Sequence, residues 1–64
     1  MNYQEIKLNL TKANLLVSEG LVAEADALIR SMAGKGLTGA DLSANLTSTA
    51  MRKLRAFAKA RKGN

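Results

Sequence analysis

Apolar residues recur at spacings of three and four in successive stretches of the chain, and glycine marks where one stretch stops and the next begins. Tyr3, Ile6, Leu10, Ala13 and Val17, with Leu16 beside them, form one stripe of a helix over 3–18. Asn2 followed three residues later by Glu5 supplies its N-cap, and Ser18-Glu19-Gly20 its end, with Gly20 providing the left-handed position a C-cap needs. A tight hairpin then leads to a second helix over 21–33. There Leu21, Val22, Ala25, Leu28, Ile29 and Met32 fall within about 120° of helix surface, while Asp26 and Arg30 pair at i, i+4 on the outside. Gly34-Lys-Gly-Leu-Thr-Gly39 forms a turn over 34–39.

Thr38, three residues before Asp41, has the form of another N-cap, and Leu42 and Leu46 open a new stripe. The run Asn45-Leu-Thr-Ser-Thr49 is poor in helix formers and rich in capping residues. Leu42, Leu46, Ala50, Leu54 and Phe57 nevertheless hold one phase, which favours a continuous third helix over 39–62. The alternative is a break near Thr47 and a fourth helix capped by Thr47 or Ser48. The fold class is therefore all-α: a compact three-helix bundle, or four helices with that break, built from an N-terminal αα-hairpin and a basic C-terminal helix. Its expected core is Ile6, Leu10, Val17, Leu21, Leu28, Ile29, Met32, Leu42, Leu46, Leu54 and Phe57.

A chain of 64 residues is one small domain at most, near the size where a single core gives slender stability. It has no cysteine and no histidine, which removes disulfides, thiolate sites and the commonest metal ligand. Heavy use of alanine, 3% aromatic residues and no proline suit helices packed through small side chains. No apolar run is long enough to span a bilayer, and the amphipathic N-terminus does not read as a secretory signal, so a soluble cytoplasmic protein is expected. On that expectation the glycosylation patterns Asn9-Leu-Thr11 and Asn45-Leu-Thr47 are accidental.

Charge is distributed unevenly. Residues 1–41 carry four bases against five acids; residues 42–64 carry six bases and no acid. At 100° per residue, Arg52, Arg55, Lys59 and Lys62 share an arc of about 80°, with Leu54, Phe57, Ala58 and Ala50 on another side. The last helix thus presents a cationic rail and an apolar back, with Lys53 and Arg61 off the rail as secondary contacts, along with Thr47 and Ser48 at the head of the helix. Such a field suits an anionic partner: nucleic acid, or an acidic surface of a larger protein met by a small inhibitor or adaptor. An anionic membrane ranks last, because only Met51, Leu54 and Phe57 are large and apolar there.

Residues 37–57 resemble a helix-turn-helix, through Leu37-Thr38, Asp41-Leu42-Ser43, Leu46, Thr47-Ser48-Thr49 and then Arg52, Leu54 and Arg55. The resemblance implies that Thr47, Ser48, Thr49, Arg52 and Arg55 face DNA, as in a transcriptional regulator. It departs from the motif in lacking a turn glycine and in placing Ser48 where an apolar residue is usual. RNA met through the same rail fits equally well, whereas the scarcity of aromatics argues against base stacking on single strands. The hairpin resembles one tetratricopeptide unit, but that repeat needs several copies. Gly34-Lys-Gly lacks the spacing and the Lys-Ser/Thr pair of a phosphate-binding loop.

No paired acid–base or activated nucleophile is visible, so the expectation is a non-enzymatic binding protein with no cofactor, metal or small-molecule substrate. Leu8 and Leu15 lie seven apart, roughly opposite the core stripe of the first helix. They are either two exposed leucines or a seam for a partner or a second copy.

Overall fold

The computed structural model describes residues 1–62, without the Lys62 side chain, so the rail position assigned to Lys62 lies outside the described residues. Four helices follow one another, α1 (Tyr3–Ser18), α2 (Val22–Met32), α3 (Gly39–Asn45) and α4 (Ser48–Lys62), and the described residues contain no strand.

Local chemistry accounts for most of the boundaries. The Asn2 side chain accepts from the Glu5 N–H at 2.9 Å and opens α1. At its far end Leu21 N–H donates to the Leu16 carbonyl (2.8 Å) and Gly20 N–H to that of Val17 (3.0 Å). This is the Schellman pair of bonds, and it requires the positive φ of +82° that Gly20 adopts. After α2, Ala33 turns extended, Gly34 takes φ +86°, and Lys35 N–H returns to the Met32 carbonyl at 3.0 Å, which has the form of a type II turn. Thr38 and Asp41 form a reciprocal capping box at the head of α3.

The preference for one continuous C-terminal helix is corrected by the structure. Leu46 is extended, with ψ 142°, and ends α3. Thr47 then caps α4: its Oγ1 accepts from Ala50 N–H (3.0 Å), and its carbonyl accepts the first helical bond, from Met51 (2.9 Å). The backbone groups freed by the break are met from α1. Asn14 donates from its side-chain amide to the Asn45 carbonyl at 2.8 Å and accepts from Thr47 N–H at 3.0 Å. Phase alone could not reveal this, because the spacing from Leu42 to Phe57 is the same with or without the break.

The first two helices pack against each other, α4 packs against both α2 and α1, and α3 rests on α1. The core consists of Ile6, Leu10, Ala13, Val17, Ala25, Met32, Leu46, Ala50 and Leu54, with Leu28, Ile29 and Leu42 partly buried against it. Three alanines belong to this set, and such small side chains let helix axes approach closely. Three apolar placements are corrected. Leu21 is 43% exposed because it is the residue before α2, where the chain turns and its side chain is off the helical face. Tyr3, in the first turn of α1, is 50% exposed, and its hydroxyl accepts from the Asn45 amide at 3.3 Å. Phe57 is only half-buried, in the part of α4 beyond Leu54.

Candidate binding surfaces

Ser48 to Lys62 is helical because Thr47 caps it and its interior is rich in Ala, Arg and Lys. Ala50 and Leu54 are buried, which fixes the rotation of the helix and sends Arg52, Arg55 and Lys59 to the outside, where all three are exposed. Among the described residues none of these three forms an ion pair, and α4 contains no carboxylate. Arg55 also borders a shallow depression of about 410 Å³ whose other walls include Ile29, Leu42, Met51 and Leu54.

Arg61 behaves differently. It stands seven residues after Leu54, on the same face of the helix, and so is carried toward α2. Its Nη1 donates to Asp26 Oδ2 at 3.0 Å, and Arg30 Nε donates to the same oxygen at 2.8 Å. The Asp26 side chain is 10% exposed, against 58% for Arg30 and 46% for Arg61. Two expectations are corrected here. The Asp26–Arg30 pair is not outside the fold, because Asp26 is buried, and Arg61, expected as a secondary binding cation, instead ties the last turn of α4 to the middle of α2. A buried carboxylate is tolerable only with such partners. The sequence carried a signal for both: Arg61 continues the Ala50, Leu54, Phe57 spacing of four and three, and Asp26 lies about 40° from Val22, at the edge of the α2 stripe.

The helix-turn-helix resemblance does not extend to the packing. That motif sets its two helices against each other across a turn of about three or four residues. Here only Leu46 and Thr47 separate α3 from α4, and α3 lies on α1. Thr47 uses its hydroxyl oxygen as a cap, while Ser48 and Thr49 are exposed at the start of α4.

Leu8 and Leu15 are 72% and 60% exposed and line an open groove of about 610 Å³ between α1 and α4. Val17 and Ala50 are at its floor, and Lys12 and Lys53 line it from opposite helices. Lys12 is the functional candidate that sequence reasoning missed; its position between the two leucines was the available signal. No described helix is long and apolar enough to cross a membrane, and the described residues contain no cluster of three metal-ligating acidic, Cys or His side chains. Compared with known protein families, curated proteins and solved structures, the chain matches none.

Proposed function

We propose that this is a non-enzymatic binding protein that engages the phosphate backbone of nucleic acid through the outward edge of α4. The observation that carries the reading is the exposed line of Arg52, Arg55 and Lys59 on a helix with no carboxylate, held in place by a buried opposite face. Seven residues of helix separate Arg52 from Lys59, about 10 Å, a span over which several phosphates of a duplex can be met. Ser48 and the Thr47 hydroxyl, at the head of the same helix, are suited to secondary phosphate contacts. Lys53 and Arg61 take no part in the edge.

Duplex DNA anisotropy measured against salt tests this. Three phosphate contacts give a slope of log K against log[salt] near ~−2.7, and four, with Lys62 included, near ~−3.6. Failure of both DNA and RNA to bind at low salt overturns the proposal. A DNA-binding regulator is its finer form and requires a preference among duplex sequences. The competing use of the same edge, docking on an acidic protein surface, predicts a stoichiometric partner in a pull-down that nuclease treatment does not release.

A further inference from the structure

We propose that the groove between α1 and α4 receives an acidic amphipathic helix of a partner protein. This inference is independent of the nucleic-acid edge, which occupies a different arc of α4: Lys53 lies roughly 130° around the helix from the centre of Arg52, Arg55 and Lys59.

Leu8 and Leu15 differ from the other exposed large apolar residues. Met1, Tyr3 and Leu21 sit at the chain start or at helix boundaries, whereas Leu8 and Leu15 lie inside α1, two turns and about 10 Å apart on one line. They border a trough that runs between two helices, with buried Val17 and Ala50 beneath it. A third helix bearing apolar side chains at i, i+3 or i+4, and i+7 fits such a trough, in the packing mode by which helices dock into grooves. Its volume of about 610 Å³ accommodates a few such side chains.

Charge selects among occupants. Lys12 projects from α1 one turn from each leucine, Lys53 stands on the α4 wall, and no carboxylate lines the groove. A helix whose apolar stripe is flanked on both sides by glutamate or aspartate meets a lysine on each rim. A second copy of this chain, seated groove to groove, brings lysines against lysines, and its net charge of +5 adds to the repulsion.

The test titrates the isotope-labelled full chain, followed by amide NMR, with a synthetic helical peptide of about five turns carrying leucines on one stripe and glutamates on both flanks. A twin peptide with lysine for every glutamate is the control. The glutamate peptide should shift Leu8, Lys12, Leu15, Thr49 and Lys53 saturably, and the lysine twin should not. Leu8→Ser with Leu15→Ser, which removes the apolar contact without changing the charge, should weaken that binding about tenfold or more while leaving the helical circular dichroism and duplex DNA affinity unchanged. Lys12→Glu with Lys53→Glu should invert the preference between the peptides. Equal binding of both peptides, binding of neither, or shifts confined to Arg52, Arg55 and Lys59 overturns the proposal. So does a self-associated chain in sedimentation that the leucine variant dissociates, since the groove then belongs to a second copy. A stronger response of the same signals to phosphatidylserine vesicles than to the peptide likewise overturns it, in favour of a membrane surface.

Discussion

Arg55 and Arg61 are six residues apart on one helix and have the same chemistry, yet the fold gives them opposite tasks. Arg55 is exposed on the outward edge with no ion-pair partner among the described residues. Arg61, one heptad beyond the buried Leu54, turns toward α2 and shares the Asp26 carboxylate with Arg30. The difference is rotational. A basic helix is not uniformly a binding surface; the residues that bury its apolar back decide which cations remain for a partner. The inward face of α4 should therefore govern stability, and the outward edge should govern binding.

The largest effect should come from the edge. Replacing Arg52, Arg55 and Lys59 with alanine should abolish duplex retention at low salt while leaving the thermal midpoint nearly unchanged, since these three exposed positions contribute little to the fold. Loss of the fold in this variant breaks the comparison. Next is Leu54→Ala, which should destabilise by ~2–5 kcal/mol, a large part of what so small a domain possesses, without altering the salt slope of whatever folded protein remains. Chemical denaturation followed by circular dichroism measures it.

Asp26→Asn should cost ~1–3 kcal/mol, because it weakens two charge-assisted bonds at a poorly hydrated position. It also sharpens the comparison: an Arg61 released from Asp26 is available to phosphate, and the salt slope should steepen toward one further contact. A slope that stays fixed means that orientation, not pairing, keeps Arg61 away from the nucleic acid. Arg61→Ala should give the smallest change, about 1 kcal/mol or less, since Arg30 still satisfies the carboxylate and Arg61 is half exposed. In a domain of this size that is a midpoint shift of roughly 4–8 °C at most.

Short-range features were legible because their causes are local. The caps at Asn2 and at Thr38 with Asp41, and the left-handed Gly20, each depend on atoms within a few residues. The stripe from Ile6 through Leu10 to Val17 is equally local, because helical periodicity alone puts these residues on one face. The break at Leu46-Thr47 was not legible in the same way. Its capping residues were visible, but the choice between bending and continuing depended on Asn14, more than thirty positions earlier, being placed to meet Asn45 and Thr47. The same holds for Asp26, whose i, i+4 partner Arg30 was evident while its second partner, thirty-five residues away, was not.

On the candidate surfaces, periodicity singled out Arg52, Arg55 and Lys59 as one edge and Leu8 and Leu15 as a line opposite the core. What periodicity omits is the neighbour. Lys12 and Lys53 come from different helices and become the two rims of one groove only after α4 has packed against α1. The sequence by itself determined four things: the helical class, the ends of α1, the capping of α3 and the cationic bias of the C-terminal segment. These follow from bonds and spacings within a few turns. Tertiary structure decided that the chain breaks into four helices, that Asp26 is buried between two arginines, and that one arginine of α4 ties the fold together while its neighbours face outward. Those outcomes depend on satisfying polar groups across distant segments, the buried Asp26 carboxylate and the backbone at Asn45 and Thr47, a condition that no single helix contains.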